Sequence, residues 1–174
     1  MTSHLRIMSI DGSHARLSVE RYDFEALIGR SGVISAEEKR EGDGATPLGR
    51  WPVLFGFYRP DRVPAPAVPD MDWRPMDAGM GWCDAPDHPL YNQLVPLPFS
   101  ASHEVMCRED SAYDYVVVLG YNYPHAVSGR GSAIFLHIWR EGAPHTEGCV
   151  ALKRADFEAL LPYLRVGTVV EIGT

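Results

Sequence analysis

No apolar run in this 174-residue chain is long enough to span a bilayer. The start, Met1-Thr2-Ser3-His4-Leu5-Arg6-Ile7-Met8, lacks the charged-then-apolar order of a secretory signal. The expectation is a cytoplasmic protein, or a periplasmic one if the N-terminus has been truncated. Basic residues are also scarce: 16 Lys and Arg stand against 23 Asp and Glu, a net charge of −7. There is no basic stripe to neutralise phosphates, which excludes a nucleic-acid partner, and no polybasic patch for an anionic membrane. The three cysteines, Cys83, Cys107 and Cys149, form an odd set without a Cys-x-x-Cys pair, so neither a disulfide framework nor structural zinc is expected. Seven histidines invite a zinc-hydrolase reading, but no His-x-x-x-His pair exists, and His137 and His145 stand eight positions apart (145 − 137 = 8) across a turn. No metal and no cofactor are expected. Internal repeats, low-complexity tracts and linkers are absent as well, so residues 1–174 read as one domain, a monomer, with a small-molecule-sized substrate.

Convincing helical periodicity is confined to Asp156–Leu164, where Phe157, Leu160, Leu161 and Leu164 follow the i, i+3, i+4, i+7 spacing of one apolar face and Pro162 disturbs the end. Strands dominate the rest. Leu5–Ile10, Ala15–Val19 and Phe24–Ile28 are β-prone runs, the first two separated by Asp11-Gly12. Trp51–Tyr58 is aromatic and branched. Tyr115–Leu119 and Ser132–Ile138 are nearly continuous apolar runs, the pattern of strands buried on both faces. Thr168–Ile172 closes the chain as a strand. Glu37–Gly44 is charged and glycine-punctuated, hence a loop. Nine of the fourteen prolines fall between residues 59 and 110, which blocks regular ladders. Trp73, Trp82, Tyr91 and Phe99 in the same stretch demand burial or a ligand. The region reads as a loop-rich insertion walling a cleft. The fold class is mainly β: a β-sandwich of mixed sheets with one packed C-terminal helix and long proline-rich loops.

The chemistry concentrates near the end of the second apolar run. Cys149 sits in His145-Thr146-Glu147-Gly148-Cys149-Val150-Ala151-Leu152, twelve residues after His137 (149 − 137 = 12). A cysteine becomes a nucleophile when a base takes its proton and backbone N–H groups await the oxyanion. Gly148 allows a tight turn that presents such an N–H and leaves the sulfur uncovered. His137 is the candidate base, with His145 as rival or as a group on the pocket rim. The arrangement reads as a Cys–His acyl-transfer site. Arg130, between two glycines in Ser128-Gly129-Arg130-Gly131, is a candidate for holding a substrate carboxylate. Tyr91, Asn92, His103 and Asn122 are candidate pocket groups, and Thr146 and Glu147 flank the nucleophile on the substrate side. Cys83 and Cys107 read as small buried hydrophobes.

The Cys149 segment resembles the signature of the L,D-transpeptidase catalytic-domain family (the YkuD type), in which a histidine precedes a Ser/Thr-His-Gly-Cys box. Lys39-Arg40-Glu41-Gly42-Asp43-Gly44-Ala45-Thr46-Pro47-Leu48-Gly49-Arg50-Trp51 resembles the family's Thr-Pro-x-Gly motif. Glu147 replaces the histidine of the box, and Ala151 stands where Arg or Asn is common, so the segment is similar to a soluble branch with Thr-x-Gly-Cys-Val-Ala-Leu. The resemblance implies a β-sandwich and thiolate attack on the L,D-amide of a peptidoglycan stem peptide or muropeptide. It also implies that the carbonyl of Ile138 orients the His137 ring. Cytoplasmic members resemble L,D-carboxypeptidases that trim tetrapeptides. Hydrolysis is the expected outcome, with L,D-transpeptidation as the alternative and a noncatalytic fragment-binding module as the reading from another class. Glu147 is expected either to face solvent or to engage a cationic group of the substrate, such as a diaminopimelate amine.

Overall fold

The computed structural model describes residues 3–174. Strands β1 (His4–Asp11), β2 (His14–Val19) and β3 (Tyr22–Leu27) form an antiparallel meander in which Leu5, Ile7, Leu17 and Val19 alternate inward. Two short parallel strands, β4 (Val33–Ile34) and β5 (Thr46–Pro47), precede the long β6 (Gly49–Tyr58). Then come β7 (Trp73–Pro75), β8 (Met80–Cys83), β9 (Leu94–Pro96) and β10 (His103–Val105), followed by β11 (Tyr115–Leu119), β12 (Phe135–Ile138) and β13 (Val150–Leu152). Helix α1 (Arg154–Leu160) continues into a 3₁₀ turn at Leu161–Tyr163, and β14 (Val169–Gly173) ends the chain.

The main sheet runs β11-β12-β13-β3-β2-β1-β14-β6-β7, and β11 pairs with β6 as well as with β12. The two layers expected of a sandwich are thus one mixed sheet curled until its ends meet. Its interior holds Leu5, Ile7, Leu17, Val117, Leu136, Leu152 and the inner face of α1, Phe157 and Leu160. A second apolar cluster lies outside the ring, where Phe55, Phe57, Val116, Val118 and Phe135 meet Trp82 and Met106. This explains the unbroken apolar runs at β11 and β12, since alternate residues feed different cores. Full burial of Phe57, Trp82 and Phe135 contributes roughly 1.5–3 kcal/mol each.

Three expectations need adjusting. The 59–110 segment is not without ladders, because β8, β9 and β10 form a three-stranded sheet that supports the second cluster. Strand β12 begins at Phe135 rather than Ser132, because Gly131 (φ 112°) and Ala133 (φ 54°) hold backbone conformations no strand contains. The α-helix stops at Leu160, before Pro162, and the chain tightens into the 3₁₀ turn.

Candidate active site

Parallel pairing of β12 with β13 turns twelve residues of separation into contact. The register sets Leu136 beside Val150 and His137 beside Ala151. Paired residues on neighbouring strands point to the same face, and so do residues i and i+2 of one strand. His137, Ala151 and Cys149 therefore share the outward face, with Phe135. The small Ala151 leaves the space between nucleophile and imidazole unfilled. Both side chains line a cavity of about 240 Å³, together with Leu27, Tyr113 and Thr146.

The geometry fixes the histidine tautomer. His137 Nδ1 lies 2.8 Å from the Ile138 carbonyl oxygen, which can only accept, so Nδ1 carries the proton and Nε2 keeps its lone pair. The Tyr113 ring stands edge-on to the imidazole at 5.3 Å. Burial, outweighing the Ile138 hydrogen bond, lowers the His137 pKa to about 4. The half-buried Cys149 donates its S–H to the Ala133 carbonyl at 3.0 Å. Burial first, and then the nearby Glu104 carboxylate, push the thiol up to about 12, against the opposing pull of the Phe135 N–H, Lys39 and Arg108. At rest the pair is a neutral thiol and a neutral imidazole.

The turn before Cys149 is held by hydroxyls. Thr146 Oγ1 donates to the Cys149 carbonyl at 2.6 Å and accepts the Gly148 N–H at 3.1 Å. This corrects one expectation: the Gly148 N–H is committed inside the turn and does not face the cleft. Gly148 is needed for another reason. Its φ is 138°, and a Cβ there would lie 2.9 Å from the Ala45 carbonyl oxygen. Thr46, from the Thr-Pro motif, accepts the Gly29 N–H at 2.9 Å and donates to the Gly148 carbonyl at 2.9 Å.

The remaining candidates divide. His145 and Glu147 line the cavity with Cys149; His145 Nδ1 contacts the Thr146 carbonyl at 3.1 Å, and the exposed Glu147 pairs with Arg30 at 2.9 Å. Arg130 does not line it. Its guanidinium donates to the Glu37 carbonyl and borders a separate hollow beside Trp51 and Tyr121. Tyr91 and Asn92 also lie behind the site rather than in it. The Tyr91 hydroxyl donates to Glu41 and accepts the Gly131 N–H, while Asn92 Oδ1 accepts both Trp82 Nε1–H and the Ala133 N–H at 2.9 Å. Asn92 thereby holds the N–H of the residue whose carbonyl receives the Cys149 thiol. Asn122 braces the Val127 and Gly131 carbonyls, and His103 Nδ1 donates to the Ala101 carbonyl.

Four polar cavity residues were not foreseen from the sequence: Glu104, Arg108, Tyr113 and Arg140. Arg140 follows His137 by three positions at a Gly142 turn, a signal within reach. The others come from loops whose path the sequence does not reveal. A second hollow of about 210 Å³ that also borders Cys149 is acidic, lined by Glu41, Asp84, Glu104 and Glu147. Residues 7–172 match the L,D-transpeptidase catalytic domain (YkuD) model.

The chain belongs to the L,D-transpeptidase catalytic-domain family.

Among solved structures, this L,D-transpeptidase-family domain is similar to L,D-transpeptidase 1 of Mycobacterium tuberculosis, with a TM-score of 0.41 and 12% identity over 99% of this chain and 63% of that one. It is also similar to an L,D-transpeptidase from Mycobacterium smegmatis, with a TM-score of 0.42 and 13% identity over 99% of this chain and 59% of that one. The domain spans less than two thirds of either. No curated protein matches it. Among the described residues, no helix is long and apolar enough to cross a membrane.

Proposed function

We propose that the protein is an L,D-carboxypeptidase that removes the terminal D-alanine from a tetrapeptide stem. The observation that carries the acyl-transfer chemistry is the shared face of Cys149 and His137, with Nδ1 tied to Ile138 and Nε2 left as the base. Cys149 attacks the carbonyl of the third stem residue as its proton passes to His137 Nε2. The Cys149 N–H meets the oxyanion, D-alanine leaves with the proton from His137, and water then attacks the thioester with His137 again as base. Because the resting pair is neutral, proton transfer accompanies attack rather than preceding it.

Water as acceptor is supported by the room around the sulfur. The hollows of about 240 and 210 Å³ are below the roughly 300–1,000 Å³ of pockets that enclose drug-sized ligands, and a donor and an acceptor stem would have to share them. The acidic hollow favours the second reading, transpeptidation, since its carboxylates suit an incoming amine.

Incubating the protein with a tetrapeptide muropeptide, with and without a D-amino acid, and reading products by mass spectrometry separates the two. Tripeptide and free D-alanine, lost in Cys149→Ala, is the expected result. Exchange or cross-linked products that outnumber tripeptide would replace hydrolysis with transfer.

A further inference from the structure

A carboxypeptidase has to recognise the free carboxylate one residue beyond the bond it cleaves. Consecutive residues lie about 3.8 Å apart, so the group that reads this carboxylate must border the same space as the attacking sulfur. The guanidiniums near the cleft can be sorted by what already holds them. Arg108 lines the cavity, but its Nε and Nη2 are bound to Asp110, at 2.8 and 2.6 Å, and its guanidinium lies over the Tyr113 ring. Arg30 is paired with Glu147 at 2.9 Å, and Arg130 is turned to Glu37 away from the cavity. The ammonium of Lys39 is buried against Asp43 and the Arg40 carbonyl. Arg140 lines the cavity, is exposed, and has no hydrogen-bond or ion-pair partner for its guanidinium among the described residues.

Its backbone, by contrast, is fixed. The Trp139 N–H donates to the Leu152 carbonyl at 2.6 Å, the Ala143 N–H returns to the Arg140 carbonyl at 3.0 Å, and Trp139 Nε1 closes the turn on the Ala143 carbonyl at 3.0 Å. The turn leads directly out of β12, three residues past His137. The other charged or acidic side chains of the cavity are Glu104, Glu147 and the Asp110-bound Arg108, so none of them offers a free cation. A carboxylate therefore belongs at the mouth, against the uncommitted guanidinium.

We propose that Arg140 binds the C-terminal carboxylate of the substrate through paired N–H···O bonds and so makes the site selective for a terminal D-residue. The proposal rests on the carboxypeptidase reading, and its test separates the two. Binding of a tetrapeptide acid and of its C-terminal amide is measured by calorimetry on Cys149→Ala protein, with and without Arg140→Gln; turnover of both ligands is measured on the Cys149-intact protein and its Arg140→Gln variant. The acid is expected to bind about tenfold to a hundredfold more tightly than the amide, a preference that Arg140→Gln removes while Arg140→Lys restores part of it. The melting temperature stays unchanged, because the exposed guanidinium holds no hydrogen-bond or ion-pair partner among the described residues. Equal binding of acid and amide, or a preference that survives Arg140→Gln, overturns the role of Arg140. An Arg140-dependent preference with no tripeptide formed supports the carboxylate site and overturns hydrolysis instead.

Discussion

Cys149 does not rest as a thiolate. Its proton points at the Ala133 carbonyl, its surroundings are partly closed, and Glu104 lies close by, all of which favour the neutral thiol. His137, lowered to about 4, does not hold a positive charge at neutral pH that could compensate. The sign of the pH dependence follows. A cysteine–histidine ion pair alkylates at a nearly constant rate through pH 6–8, whereas a thiol pushed up to about 12 gains thiolate by about tenfold per pH unit across pH 7–10. Iodoacetamide labelling of Cys149, followed by peptide mass spectrometry, is expected to climb steadily over that range and to run faster at each pH in Glu104→Gln. A plateau between pH 6 and 8 would show a preformed ion pair and discard the concerted proton transfer.

At the scale of elements, the site is a seam between β12, β13 and β5, which carries the Thr-Pro motif. Thr46 joins them, since one hydroxyl serves the Gly29 N–H and the Gly148 carbonyl, both buried. Thr46→Val keeps the shape and strands both backbone groups, at about 1–3 kcal/mol each. Urea unfolding is expected to show a loss of about 2–6 kcal/mol, with Thr46→Ser close to the parent protein; a Val variant as stable as the Ser one would rule out the clamp. The long strands were legible because Val, Leu and Phe runs leave few alternatives, and His137 and Cys149 were legible because the glycine turn and the apolar run frame them. The three-residue strands of the insertion were not, as they are too short to show alternation between prolines. Arg130 misled for a physical reason: flanking glycines mark a flexible backbone, and say nothing of where the side chain goes. The four unforeseen cavity residues depend on which loops meet, which is set by pairing between distant strands.

Across the whole molecule, the closed ring supplies one wall of the cleft and the insertion the other, so the site exists only while the two hold together. Besides the second apolar cluster, they are joined through Asp114, which is 3% exposed. It binds Arg62 of the insertion at 3.1 Å and Arg154 of α1, and its carbonyl accepts the Arg59 N–H. Arg59 and Arg62 in turn donate to the carbonyls of Arg108, Glu109 and Asp110. The neighbouring Tyr113 then carries this placement to the His137 ring. Removing one member of a buried ion cluster costs about 3–5 kcal/mol, but Arg62 and Arg154 are 32% and 39% exposed and regain water. For Asp114→Asn we expect about 2 kcal/mol, or about 4–8 °C in melting temperature for a chain of this length. The decisive feature is the shape of the transition. With Trp51, Trp73 and Trp139 replaced by Phe, Trp82 fluorescence reports on the insertion's own sheet, while circular dichroism reports on the strands throughout. If ring and insertion form one cooperative unit, both signals shift together in the variant. Fluorescence that melts ahead of the circular dichroism would mean that Asp114 is the main tie, and that the cleft opens before the ring does.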